Sequence, residues 1–520
     1  MSTLTSTHLT VLALLSTAAL IISKTSKRRD GPPLPPGPPP LPIVGNVRGF
    51  DIDAPWVTYT KWAAAYGDLV YTHFFQQEII VISSEKVAKD LLERRSHIYS
   101  DRPELPANKV IGMDFNSVLA RYGPGWRFHR RLFHQAFKED SSISFRPMQL
   151  RKAHQFLRGI MESQSPEDYA ACIRLHSSSI IMAAVYDYEA SPRDDPFVTV
   201  IEKAIEIAIT DLRPQVSAVF SAFPILLCLP SWFPGMGLKK RGAVMQKYMN
   251  KWLDEPFQYV KEKMSTGTTA PCMVSDALEK WQNEDGEVVK AIQEVAATAF
   301  IAAAETTAST MSVFLLAMVL YPEVQERAQA LIDSVVGTGR LPNFEDRPSM
   351  PYIDAILRET LRWHPIAPMG VPHATYSEDV YEGYYIPKGM HIELPMILPN
   401  VWAMARNEEK YPNPDEFIPE RFLTADGNLN DDTCNFAFGF GRRICVGRHL
   451  ADASVWSAMA LMLAAFKVTK SKDEDGNDID FEPEWFGGLA THPLPFPCSI
   501  TPRLEGMNME RLNALIEASA

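Results

Sequence analysis

The sequence predicts a mainly α fold with a small β-rich lobe. Most of the chain from Ser84 to the loop around Cys445 repeats its apolar residues at helical spacing. Two short runs, residues 69–75 and 78–82, are instead β-branched and aromatic. The uninterrupted apolar run over residues 291–320 reads as one long buried helix.

Taken in order, the chain opens with an uncharged stretch over residues 3–23, apolar from Leu9 to Ile22 apart from Thr10, Ser16 and Thr17. It is close to the ~20 residues that span a bilayer. Lys24, Lys27, Arg28 and Arg29 follow it, and no Lys or Arg precedes it. That asymmetry keeps the C-terminal side cytoplasmic. It also puts the charge on the wrong side for a cleaved signal peptide, although Ala18 and Ala19 would suit one. Residues 1–23 are therefore expected to be an anchor and residues 24–50 a basic, proline-rich hinge, stiff because proline fixes φ. No Gly/Ser-rich linker divides residues 51–520, which read as one large unit.

Gln76 and Gln77 are expected to turn a hairpin between the two β runs, and Ser84 to cap a helix through Leu91 and Leu92. The stretch from Arg121 through Gly123-Pro124-Gly125 to Arg131 reads as a turn feeding a helix, with Trp126 and Arg130 on one face at i and i+4. Pro351 and Pro365 bracket a helix with an Ile353, Ile356, Leu357, Leu361 stripe, on which Glu359 and Arg362 lie at i and i+3. A last helix starts near Gly447, its apolar positions being Val455, Met459, Met462, Leu463 and Phe466.

The formal net charge of −12 argues against nucleic acid as a partner. Cys172, Cys228, Cys272, Cys434, Cys445 and Cys498 are scattered, with no Cys-x-x-Cys pair for zinc or dithiol chemistry, so a reducing compartment fits. Cys445 stands apart. Gly441 and Gly447 flank it, allowing close approach of a bulky, flat partner, and the helix start after it supplies amide donors that favour a thiolate. A lone cysteine is otherwise more often a small buried hydrophobe.

Phe438-x-x-Gly441-x-Arg443-x-Cys445-x-Gly447 resembles the haem-ligand signature of the cytochrome P-450 monooxygenases. Anchor, hinge and later motifs follow the order of membrane-bound members, and the texture is closest to fungal ones. The resemblance implies the fold of that family, with haem b between the long central helix and the cysteine loop. Cys445 would be the axial iron ligand, the thiolate favouring O–O cleavage. Phe438 and Arg443 would also meet the haem, and Trp126, Arg130 and His373 its propionates. On the central helix Glu305 and Thr306 match an acid–alcohol pair that relays protons to dioxygen. The family's usual glycine there is Ala303. Glu359, Arg362 and Arg421, the last from Pro419-Glu420-Arg421-Phe422, match a structural triad that supports the cysteine loop.

A haem-thiolate monooxygenase over residues 51–520 is thus expected, inserting one oxygen atom into a C–H or C=C bond. No Gly-x-Gly-x-x-Gly follows a strand, so NADPH should act only through a separate flavoprotein reductase, with cytochrome b5 as a further partner. Arg127, Arg131, Arg442 and Arg448 offer a basic patch for docking. Phe300, Ala303, Ile366, Met369, Val371 and Phe486, with Ala367, Pro368 and residues 486–489 beside them, carry no charge and suit a small lipophilic substrate. The expected setting is the endoplasmic reticulum membrane, catalytic side to the cytosol, in fungal secondary metabolism of terpenoids. Broad oxidation of polycyclic aromatic, steroid-like or other xenobiotic compounds is the alternative. A reductase-independent isomerase or peroxide-using enzyme, and a non-catalytic haem carrier or sensor, are the remaining readings.

Overall fold

The helix Gly286–Leu320, 35 residues long, runs through the middle of the molecule. The computed structural model describes residues 31–519 except 76, 192–194, 201–202, 204–219, 221–222, 234–235, 282–285, 389–394 and 488–489. The expected anchor, residues 1–23, and the basic part of the hinge lie outside the described residues. The central helix is itself long and apolar enough to cross a membrane, but 72% of its most apolar window is buried inside the fold, so it is a core helix.

Two apolar clusters meet along it. Its second half, with Met311, Phe314 and Leu316, packs on Trp456, Leu461 and Leu463 of the helix Arg448–Ala465. Its first half, with Val295, Ala296 and Phe300, packs on Met245 and Trp252 of the helix Gly237–Ser265. Each such large side chain contributes about 1.5–3 kcal/mol on burial. The change from one cluster to the other falls between Ala304 and Ala308, where the helix carries its polar residues. A neighbouring helix, Pro166–Tyr186, opens with a Ser165–Asp168 capping box and Pro166 in its first turn. Its Ser177 Oγ donates to the Ala304 carbonyl at 2.7 Å, tying the two helices at that level.

The β lobe is a four-stranded sheet in the order Leu69–Phe74, Gln77–Ile82, Met396–Pro399, His373–Ala374. The first pair is antiparallel, Leu69 opposite Ile82, and the second parallel, Ile79 opposite Met396. The hairpin corner sits one residue earlier than expected. Phe75 takes the left-handed conformation at φ +52°, which lets Gln77 pair with Phe74. Ser84 does cap a helix, Glu85–Ala88, accepting from Val87 N, and the chain then widens into a π turn, Lys89–Arg94, that buries Leu91 and Leu92.

The helix after the cysteine loop ends at Ala465. Phe466, expected in its apolar stripe, instead opens a strand, Phe466–Lys470, held antiparallel to Cys498–Pro502. Cross-strand pairing there overrides the helical spacing. All six cysteines are free thiols.

Candidate active site

The cysteine loop is set by its backbone. Gly441 has φ +56°, and a Cβ on it would come 2.0 Å from the Leu92 carbonyl oxygen, so glycine lets the loop lie against the π turn. Phe438 brings its carbonyl back to accept from Cys445 N at 2.8 Å, closing the loop. At Gly447 φ is −87° and an added Cβ would meet no protein atom, so protein packing does not demand its smallness.

Backbone N–H groups of Gly447 and Arg448, with the charges of Arg130 and Arg448, favour a thiolate at Cys445. Burial outweighs them and pushes the thiol up, which corrects the expectation that the helix start alone would lower it. Cys445 nevertheless keeps exposed surface. The residue thus keeps accessible surface while its thiol is enclosed by protein.

A second surface in mid-helix has the same character. Ala302 is exposed and Ala303, Glu305 and Thr306 are half-buried, although the helix around them is core. Thr306 Oγ1 donates to the Ala302 carbonyl at 2.7 Å. The local hydroxyl-to-carbonyl bond is thus present, and the oxygen keeps its acceptor capacity for a proton donor. Glu305 Oε1 lies 3.4 Å from His492 Nδ1, on the short strand His492–Pro493.

Three arginines gather near the cysteine loop, Arg102 buried and Arg130 and Arg443 half-buried. Arg443 lies with its guanidinium 4.0 Å from the Trp126 ring centroid, donating to the carbonyls of Ser100 and Ala120, while its Nη1 is buried without a partner. Arg102, 4% exposed, donates to the carbonyls of Val118, Val371 and Pro372. Burial pushes Arg130 and Arg443 down to about 10 and Arg102 well below its usual value. Among the described residues no carboxylate is within ion-pair distance of Arg102, Arg130 or Arg443. His373 is buried beside Arg102 and Arg443, its Nδ1 2.8 Å from the Tyr99 carbonyl, and burial with those two charges keeps it neutral. Asp101 acts on Arg102 and Arg443 from beyond ion-pair distance, so these enclosed cations are only partly compensated, which is costly. An anionic group with two carboxylates, a thiolate-binding metal and a flat apolar body, as haem has, fits this arrangement.

The triad residues come together behind the loop. Arg362 Nε and Nη2 donate to Glu359 at 2.6 and 2.7 Å, both side chains being fully buried, and Arg421 Nε is 3.4 Å from Glu359 Oε1. Arg362 also donates to the carbonyls of Ala405, Pro414 and Glu416. Its guanidinium packs over Tyr411, whose hydroxyl donates to Asp432 at 2.7 Å. Asp432 in turn accepts from Cys434 N, at the left-handed residue that starts the turn into Phe438. The ion pair therefore reaches the cysteine loop through Tyr411, Asp432 and Cys434.

The expected substrate lining is only partly exposed. Ile366, Met369, Val371 and Phe486 are half-buried, and Thr491 N donates to the Ile366 carbonyl at 2.7 Å, joining the late hairpin to this stretch. Residues 486–489 are not a simple loop: Trp485–Phe486 pairs with His492–Pro493, and 488–489 lie outside the described residues. Phe300 requires correction. It is 1% exposed, its ring centroid 4.6 Å from that of Trp252, and it belongs to the core.

Fold and site together define an α-rich protein with one enclosed cysteine thiol beside a set of arginines that suits a flat, dianionic cofactor. The cytochrome P-450 family model matches residues 35–499, and the chain belongs to that family. It is 38% identical to the cytochrome P-450 monooxygenase ple1 of Rhodocybe pseudopiperita, over 95% of this chain and 94% of that protein. It is likewise 38% identical to the monooxygenase claR of Ampulloclitocybe clavipes, over 96% and 91%, and 37% identical to monooxygenase 208 of Postia placenta, over 94% of each. The protein is accordingly an oxidoreductase, a haem-thiolate monooxygenase of mainly α fold. The family implies haem iron ligated by a cysteine thiolate.

Two contributors had no signal in the sequence. Arg102 lies in an unremarkable Asp-Arg-Pro stretch and reaches Val371 from 269 positions away. His492 is a single histidine between Thr491 and Pro493. Long-range proximity of this kind leaves no local spacing to detect.

Proposed function

We propose that this chain hydroxylates or epoxidises a neutral, lipophilic small molecule, with electrons from NADPH delivered by a separate flavoprotein reductase and cytochrome b5 as a further donor. The observation that carries the substrate half is the uncharged stretch Ile366, Ala367, Met369 and Val371, joined through Thr491 to the hairpin that bears Phe486. Such a surface binds by burial and shape.

Cys445 would hold the haem iron, and Arg102, Arg130, His373 and Arg443 its carboxylates. When bound, the haem supplies dioxygen activation and oxygen transfer, the thiolate favouring O–O cleavage. The chain does the rest. Glu305 and Thr306 hold protons on the substrate side, the apolar stretch orients the substrate and excludes water, and Glu359 with Arg362 keeps the loop in register.

Arg127, Arg131 and Arg442 are exposed and in no ion pair among the described residues. Arg127 and Arg442 both pack on Tyr122, Arg442 Nη1 donating to its hydroxyl at 2.5 Å. This basic cluster, with Arg448 bonded to the Cys445 carbonyl, supports docking of an acidic reductase. The proposal puts the domain on the cytosolic face of the endoplasmic reticulum, held by residues 1–23. Exposed Ile43, Ile52, Trp232 and Phe233 support a membrane-facing side.

A small terpenoid of fungal secondary metabolism is the favoured substrate, and the fungal origin of the relatives supports it. Spin-state titration of the holoenzyme with terpenes and with polycyclic aromatics tests this. A terpene that binds tightly and yields one dominant product, coupled to reductase-dependent NADPH use, is expected. Slow turnover of many unrelated hydrophobes would favour the broad-tolerance alternative. Tight binding of small charged molecules alone would overturn the apolar-pocket reading.

A further inference from the structure

Between Ala302 and Ala308 the central helix shares its backbone carbonyls with hydroxyl groups. Thr306 Oγ1 donates to the Ala302 carbonyl at 2.7 Å, Thr310 Oγ1 to that of Thr306 at 3.0 Å and Ser312 Oγ to that of Ala308 at 3.1 Å. Ser177 Oγ donates to the Ala304 carbonyl at 2.7 Å and lies 3.2 Å from that of Ala303. Alternate carbonyls, at 302, 304, 306 and 308, thus each serve a hydroxyl. In an α-helix such a carbonyl also accepts from the amide four residues on, and sharing weakens its hold on that amide. The helix nevertheless runs unbroken over Gly286–Leu320, so the sharing makes this turn yielding without interrupting it.

Three of these hydroxyls belong to the central helix and move with it. Ser177 does not. It stands on the helix Pro166–Tyr186 and is 3% exposed. That helix is itself held by its Ser165–Asp168 capping box and by Ile181, Met182 and Val185, which join the apolar cluster around the first half of the central helix. At 3.6 residues per turn, Ala304 lies about 200° around the helix from both Ala302 and Thr306. Ser177 therefore grips the turn from behind, while exposed Ala302 and half-buried Thr306 lie on its other side.

We propose that Ser177 is a positioning residue for Thr306: its hydroxyl ties the yielding turn to the neighbouring helix and so sets where the Thr306 hydroxyl is held. The proposal rests on the relay role of Thr306 and adds to it a residue from outside the central helix. Ser177 acts through the backbone of that turn and not through the uncharged stretch around Ile366, Met369 and Val371. Its loss should therefore disturb proton delivery while leaving substrate affinity in place.

The test uses holoenzyme with reductase, each variant first checked for the carbon monoxide difference spectrum of intact haem-thiolate. Ser177→Ala leaves the Ala304 carbonyl its helical amide, and Ser177→Thr keeps a hydroxyl for rescue. Ser179→Ala is the control, removing a buried hydroxyl that donates to the His176 carbonyl of its own helix. Ser177→Ala should lower product per NADPH by about three- to tenfold, with peroxide rising in step and the substrate dissociation constant within about twofold of the unaltered value. Ser177→Thr and Ser179→Ala should keep the unaltered ratio. An independent readout is the C–O stretching band of the ferrous–carbon monoxide holoenzyme, which responds to polar groups beside the bound gas. It should shift or split in Ser177→Ala and in Thr306→Ala, and stay in place in Ser179→Ala. Unchanged coupling or an unmoved band in Ser177→Ala, where Thr306→Ala alters both, would overturn the proposal and leave the relay reading standing. An equal loss in Ser179→Ala would also overturn it, since general packing would then account for the effect. If Thr306→Ala alters neither readout, the relay reading falls and the proposal with it.

Discussion

The Arg443 guanidinium lies 4.0 Å from the centroid of the Trp126 indole, with one of its nitrogens buried and unpaired. Trp126 sits in the first turn of the helix Pro124–Phe137 and Arg443 just before Cys445, so this stacking contact joins that helix to the cysteine loop. Arg443 stays cationic at neutral pH, because even pushed down to about 10 its value lies well above 7.

Removing that charge should loosen the cofactor. A charge-assisted hydrogen bond contributes about 1.5–3 kcal/mol, so Arg443→Leu and Arg102→Leu should each speed haem loss to apomyoglobin by about 10- to 100-fold. Retention at the wild-type rate in both would show that neither guanidinium meets the haem carboxylates.

The Glu359–Arg362 pair is a different matter, since it is fully buried and reaches the loop through Tyr411, Asp432 and Cys434. Glu359→Gln leaves the Arg362 charge uncompensated, which costs about 3–5 kcal/mol. Thermal unfolding should shift down accordingly and little holoenzyme should accumulate. A stable variant with altered catalysis alone would assign the pair a chemical role instead.

Thr306→Ala removes the hydroxyl bonded to Ala302 while leaving the loop and its cysteine intact. Product per NADPH should fall by about tenfold, with the difference recovered as peroxide and water, and the spin-state response to substrate should be retained. Unchanged coupling would place proton delivery elsewhere on the helix.

Acid should destabilise the fold through His364. Its ring is buried, stacked on Trp485 at 3.4 Å, and burial holds it down to about 3, with Arg406 adding to the effect. The folded value lies below the unfolded one, near 6.5, so the unfolded chain binds a proton the native state refuses. Stability is therefore fully present above about pH 6.5 and is lost progressively as pH falls toward 3, by about 2 kcal/mol at pH 5. His364→Gln should flatten that part of the denaturation profile, and an unaltered slope would place the acid sensitivity in other groups.

How far the site could be read beforehand depended on sequence distance. Trp126 with Arg130, and Glu359 with Arg362, are neighbours by helical spacing, so local periodicity placed each pair on one face. Arg421 could be attached to them only through a resemblance. Phe300 went astray because the central helix is apolar all round, and spacing cannot separate its core-facing side from its cavity-facing side. His492 and Ser309 are 183 residues apart, and only the folding of the C-terminal hairpin across the helix brings them together. The cysteine thiol likewise depends on enclosure, which a helix start in the sequence does not report.

Ligation of the iron by Cys445 is the claim on which the rest depends, and the reduced protein exposed to carbon monoxide tests it most directly. The unaltered protein, and Cys228→Ala at an exposed cysteine, should both show the red-shifted Soret band of thiolate ligation. Cys445→Ala should lose it. A red-shifted band that survives in Cys445→Ala would contradict the assignment of Cys445 as the axial ligand.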